Sequence, residues 1–148
     1  MTEERAEELL RTAEYGVLSL VTEDGRPYGV PLNYVWDGED AIYIHCAPEG
    51  RKLEAIGAAG SAASFCIVGR VSLVPSQFTT GYESVVVSGT VRTGLSAEEK
   101  MKALKLLIAK LSPADQEVGA QYAQKSFHRV EVIRMDCEEY SGKNKIVR

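Results

Sequence analysis

At 148 residues the chain is long enough to bury one sizeable core and short for two domains, so a single domain over residues 1–148 is expected. Its hydrophobic and charged contents, 45% and 26%, are those of a globular protein. A net charge of −4 and a pI near 5.3 exclude a general electrostatic footprint for nucleic acid or an anionic membrane, so any anion must be held by a local cluster.

Three widely spaced cysteines, Cys46, Cys66 and Cys137, form neither a C-x-x-C pair nor a zinc ligand set, and no metal site is expected. The N-terminus lacks an apolar signal core and no apolar run approaches the roughly 18 residues that span a bilayer, so the expectation is a cytoplasmic chain with no membrane segment.

Thr2 to Ala13 reads as an amphipathic helix with Thr2 as N-cap and Ala6, Leu9, Leu10 and Ala13 on one face. Tyr15-Gly16 ends it. Val17 to Val21 is a short apolar strand, and Asp24-Gly25 is a hairpin turn into Tyr28 to Val35. Asp37-Gly38 turns the chain again into the strand Ala41 to Cys46, which predicts a three-stranded antiparallel meander. Pro31 cannot donate a ladder hydrogen bond, so its strand is bulged, at a sheet edge, or turned toward a ligand.

The next stretch changes character. Lys52 to Ala59 places Leu53 and Ile56 at i, i+3 and reads as a short helix, with Gly50-Arg51-Lys52 at its N-terminal end. Backbone N–H groups there, an Arg fork and a Lys point charge are the parts of a phosphate-monoester site; a solvated cationic corner is the other reading.

Ala62 to Val68 is a strand, Gly69-Arg70 a break, Val71 to Val74 a further extended piece and Pro75 to Gly81 a loop. Tyr82 to Thr93 is the longest strand, and Gly89 inside it predicts a bulge or bend. Ser96-Ala97-Glu98-Glu99 matches a capping box before a helix whose buried stripe is Met101, Leu104, Ile108 and Leu111. Pro113 to Ser126 holds a second helix weakened by Gly119, Phe127 to Cys137 returns to strand, and Ser141-Gly142-Lys143 closes the chain with a turn. Many short strands and few helices point to a mainly β (α+β) fold, a small antiparallel barrel with flanking helices.

Five segments in order resemble the FMN-binding split barrels related to pyridoxamine 5′-phosphate oxidase, and within them the nitroimidazole-resistance group. They are Gly16-Val17-Leu18-Ser19, Gly25 to Tyr34, Ile42 to Lys52, Phe78 to Gly89, and Ser141-Gly142-Lys143. The resemblance implies a six-stranded Greek-key split barrel that forms a homodimer with FMN at the subunit interface. It makes Gly50, Arg51 and Lys52 the phosphate turn. Pro31, Leu32 and Asn33, then Ile44, His45, Cys46 and Ala47, then Tyr82, Glu83, Ser84 and Val85 would run along the flavin, with Lys143 close by.

His45 is the candidate catalytic residue on that resemblance; a satisfied core histidine is the alternative. His128, Cys46 and Cys66 read as structural, and Trp36 and Tyr82 as either ring-stacking or barrel packing. The implied activity is FMN-dependent reduction of small nitroaromatic-type acceptors with electrons from a nicotinamide or another donor. The alternative is a non-catalytic flavin- or haem-binding protein. The C-terminal arginine-rich segment of the true oxidases is missing, which argues against pyridoxal phosphate as substrate. The acidic charge argues against a polyglutamylated deazaflavin.

Overall fold

The expected first helix forms over Glu3–Thr12 (α1) in the computed structural model, which describes residues 1–148. Its cap is Thr2, whose hydroxyl accepts from the Arg5 amide at 3.2 Å, and Ala6, Leu9 and Leu10 are buried. The strands are β1 (Tyr15–Val21), β2 (Pro27–Asn33), β3 (Val35–Trp36), β4 (Ala41–Cys46), β5 (Ser61–Val74), β6 (Thr79–Arg92) and β7 (Glu131–Lys145). The other helices are α2 (Arg51–Ile56), α3 (Ala97–Leu111) and α4 (Gln116–Ser126).

All strand pairings are antiparallel, in the order β2-β1-β5-β6-β7-β4-β3. The two ends of that order, β2 and β3, are consecutive in sequence. A single segment bent at Tyr34 therefore serves both edges, and the sheet curls round to meet itself as a split barrel. The expected fold class holds, with seven strands in place of six because the bend divides one strand in two.

The same bend overturns the predicted three-stranded meander. β2 pairs with β1 throughout, whereas β4 takes only Val35 and Trp36 from that segment, against Tyr43 and Ile42. Tyr34 is the cause. Its side chain is fully buried, stands edge-on to Phe65 at 4.9 Å, and donates its hydroxyl hydrogen bond to the Leu10 carbonyl at 2.5 Å. The bend frees the Tyr34 carbonyl, and Lys110 of α3 donates to it at 3.0 Å and to the Ala13 carbonyl at 2.6 Å. Its ammonium also sits 3.7 Å from the centre of the Tyr34 ring. Burial lowers the Lys110 pKa to about 8.

Other boundaries shift for local reasons. Gly16 lies within β1 rather than ending a helix; a Cβ there would come within 2.4 Å of the Phe65 ring. Gly69-Arg70 is a bulge inside one long strand, not a break. The Pro75 to Gly81 loop contracts to a turn of 3-10 helix, Pro75–Gln77, and β6 starts at Thr79. Ser141-Gly142-Lys143 is not a turn, since its residues pair with Val86, Val85 and Ser84. The Gly89 bulge is present: a Cβ there would lie 2.0 Å from the Asp136 carbonyl oxygen, so only glycine lets β6 and β7 cross at that point.

Two cores result. One fills the barrel, drawing Leu18, Ile44, Phe65, Ile67, Val85 and Ile133 from its strands and Leu9 and Leu10 from α1. The other lies outside β4 and β7, where Tyr43 and Val132 meet Ala103, Leu104 and Leu107 of α3 and Ala123 of α4. The α3 stripe is thus rotated from the predicted one; Leu111 is among the exposed hydrophobics. Gly119 belongs to a real helix because α4 crosses α3 there, with room for no Cβ against Ile108.

Arg134 of β7 fastens α3 to the barrel. It donates to Glu99 at 2.5 Å, to Asp136 at 2.7 Å and to the Tyr43 hydroxyl at 3.0 Å, while Tyr43 donates to Glu99 at 2.7 Å. The capping box is therefore half made: Ser96 accepts from the Glu99 amide, but the Glu99 carboxylate is turned to Tyr43 and Arg134. The hydrogen bonds from Tyr43 and Arg134 hold the Glu99 pKa below its usual 4.5. A depressed carboxylate pKa gives stability that is complete above the unfolded-state value and is lost as pH falls through the folded-state value. Thermal melts should therefore show the wild type losing stability from about pH 4.5 downward. Glu99→Gln should be less stable at neutral pH and lose less on acidification. Parallel pH profiles for the two proteins would contradict this role.

Candidate functional site

The split leaves two strand edges without strand partners. β2 has β1 on one side only, and Ile44, His45 and Cys46 of β4 have β7 on one side only, because β3 begins at Val35, opposite Tyr43. β2 and β4 pack against one another without pairing. Pro31 lies on the free edge of β2 and is exposed, which accounts for a proline in a strand. The backbone of Pro31, Leu32 and Asn33 forms one lip of the split and that of Ile44, His45 and Cys46 the other. Asn33 is held in place by its amide, which donates to the Glu14 carbonyl at 2.8 Å.

β4 runs from this split into Gly50 and α2. Gly50 is the N-cap with φ of 144°, a conformation that favours glycine, and no side chain caps the helix. Neither Arg51 nor Lys52 forms an ion pair or a side-chain hydrogen bond. The Arg51 guanidinium lies 5.3 Å from the Tyr28 ring centre. Arg51 and Tyr28 line an open cleft of about 460 Å³ with Arg26, Asp24 and Glu54. Arg26 is turned to Asp24 at 3.6 Å, while Arg51 forms no ion pair, although Glu23 and Glu54 line the same cleft. Lys52 faces Cys46: burial raises the Cys46 thiol pKa, and the Lys52 charge works against that rise. Cys46 is thus a half-buried small hydrophobe with a protonated thiol, as the sequence suggested.

The remaining candidates fall in three places. The side chains of Ile44 and Val85 are fully buried in the barrel; Ile44 keeps a free backbone edge, whereas Val85 is paired on both sides, with Ile67 and Gly142. Glu83 is committed to Arg5, which donates to it at 3.0 and 2.8 Å, and that pair holds the Glu83 carboxylate below the usual range. Ser84 and Lys143 are partners across β6 and β7, in one row with Val68, while Tyr82 pairs with Val71 and Lys145.

His45 stands apart from its neighbours. Strand alternation sends Ile44 and Cys46 toward the barrel and His45 outward, to an apolar groove between α3 and α4. Ala47 follows the end of β4 at the head of the turn. Trp36 packs on the barrel core with Arg11 at 5.2 Å, and His128 stacks edge-on to Phe127 at 5.2 Å. Tyr28 was missed from the sequence; its three-residue offset from Pro31 on a half-buried strand gave no sign that it would underlie Arg51.

With this geometry in place, comparison with known proteins is informative. The family model for pyridoxamine 5′-phosphate oxidase matches residues 2–144. The chain belongs to that family. A candidate 5-nitroimidazole antibiotic resistance protein from Bacteroides thetaiotaomicron superposes with a TM-score of 0.75 at 22% identity, over 95% of this chain and 82% of the other. An FAD and haem binding protein from Mycobacterium smegmatis gives 0.76 at 20% identity, over 99% and 72%. A flavocytochrome from Azotobacter vinelandii gives 0.74 at 17%, over 99% and 68%. At these identities the likeness is one of fold. No match is found among curated proteins.

Within this family fold, the chain's own residues suit a flavin mononucleotide. Free strand edges can hydrogen-bond a ring rim, and two cations without partners can meet a phosphate. Because neither cation supports the fold, Arg51→Ala with Lys52→Ala should leave the chemical unfolding midpoint unchanged. A marked drop would show that these side chains are structural.

Proposed function

We propose that the chain binds FMN along the split and acts as a homodimeric oxidoreductase that reduces small flat acceptors of the nitroaromatic type, with a nicotinamide as donor. One observation carries the reading: two unpaired strand edges lie beside two cations that form no ion pair within the chain. The phosphate would sit on Gly50, Arg51 and Lys52, and the ring would run along Pro31, Leu32, Asn33 and Ile44 to Ala47. Tyr82 to Val85 and Lys143 would approach it from the outer face.

Each part of the chain has a task in this arrangement. Arg51 offers a planar fork and Lys52 a point charge, and the Tyr28 ring holds the fork in place. The buried side chain of Ile44 fixes the backbone edge that would meet the ring. Glu83 serves as the partner of Arg5 and holds α1 against β6. When bound, the flavin supplies the hydride chemistry between donor and acceptor.

The dimer is supported by an uncovered sheet face. Register aligns Pro31, Val17, Cys66, Val86 and Ser141 across β2, β1, β5, β6 and β7, and Val68 and Val86 are exposed. A second copy laid on this face would cover these exposed apolar side chains. A second reading, haem binding without catalysis, draws on the names of two structural relatives. The groove beside His45 is about 190 Å³, too small for a haem macrocycle, which favours the flavin reading.

The absorption spectrum of the purified protein separates flavin from haem, and nicotinamide oxidation with and without a nitroaromatic separates an enzyme from a carrier. Arg51→Ala with Lys52→Ala should weaken FMN binding by at least about a hundredfold, since two charge-assisted contacts are lost. Unchanged flavin content after dialysis would move the phosphate elsewhere. If the flavin lies between subunits, excess FMN should shift dilute protein toward dimer in sedimentation. A monomer that holds FMN with undiminished affinity would refute the interface.

A further inference from the structure

His45 is the one histidine of the candidate site, and the flavin reading gives its side chain no task. It opens outward onto a cavity of about 190 Å³ between β4, α3 and α4. The walls are apolar, chiefly Leu107, Ile108 and Ala123, with Tyr122 at the rim, 70% exposed. The helices approach closely at Gly119, where a Cβ would lie 2.7 Å from Ile108, and the cavity opens beside that crossing. Ser126 is spent on the Tyr122 carbonyl at 2.7 Å. His45 has no hydrogen-bond or ion-pair partner in the chain, so its ring is a polar handle at the mouth of an apolar space.

We propose that this cavity is a binding site for a small aromatic molecule, a single ring bearing one hydrogen-bonding substituent that meets the His45 imidazole. The size sets the class, because apolar cavities near 150 Å³ admit benzene and about 190 Å³ leaves room for one or two substituent atoms. A mostly apolar wall, open at the Tyr122 rim, with few polar groups, of which His45 and Ser112 have side chains without a partner, fits the pattern of a small-molecule site. The site is separate from the cation turn: it lies on the outer face of β4, whereas Ile44 and Cys46 face the barrel. It stands whether or not the chain binds FMN.

The test is methyl and imidazole NMR of the full chain, with and without FMN, titrated with 4-methylphenol and with toluene. Saturable shifts are expected at Leu107, Ile108 and Ala123, with affinities on the order of millimolar or somewhat tighter for ligands of this size. His45→Ala should weaken 4-methylphenol by about five- to tenfold, the worth of one hydrogen bond, and leave toluene unchanged. Ala123→Met fills the cavity and should abolish binding of both; should it fail to fold, the His45→Ala comparison decides alone. Absence of saturable shifts, shifts confined to Arg51 and Lys52, or equal 4-methylphenol affinity in His45→Ala and wild type would each overturn the proposal.

Discussion

The bend at Tyr34 is the constraint on which the rest of the structure depends. A straight strand through Pro27 to Trp36 would pair with β1 and β4 along its length and leave a closed barrel with no free edge. Burial of the Tyr34 ring beside Phe65, its hydrogen bond to Leu10, and the Lys110 ammonium on its carbonyl and ring turn the chain instead. Each contact ties the bend to a different element, α1, β5 or α3. The split is thus fixed from three sides, and its backbone edges have no rotamers with which to adapt.

The cations gain their meaning from that split. A Gly-Arg-Lys run on a closed barrel would be a solvated corner. Here it stands where β4 leaves the split, with Tyr28 under the guanidinium and no carboxylate on Arg51 or Lys52. The more buried arginines are committed to the fold: Arg5 to Glu83, Arg134 to Glu99 and Asp136, with Arg92 also on Asp136. What sets Arg51 and Lys52 apart is their place beside open backbone, where an external anion would meet both.

Much of this was legible in the sequence. The capped first helix, the turns at Asp24-Gly25 and Asp37-Gly38, the Gly89 bulge and the cation turn all follow from local chemistry and stand in the structure. The resemblance over five motifs gave the family and the split barrel. What local pattern could not give was the partner of each strand. Tyr34 looks like any strand aromatic until Leu10 and Phe65 are brought to it, so the meander was expected and a split was formed. Ser141-Gly142-Lys143 reads as a turn until β6 is laid beside it. The α3 stripe was misplaced because β4 and β7, not the helix alone, decide which face is covered. For His45, strand alternation was readable, but the groove it faces is made by helices more than fifty residues away.

The central claim is that the unpaired cations next to the split hold the phosphate of a flavin. Its most direct test is a comparison of FMN with riboflavin, which carries the same ring and no phosphate, in a fluorescence titration of the purified protein. The account predicts that FMN binds at least about a hundredfold more tightly, the worth of two charge-assisted contacts. Equal affinity for the two, or binding of neither, would contradict it.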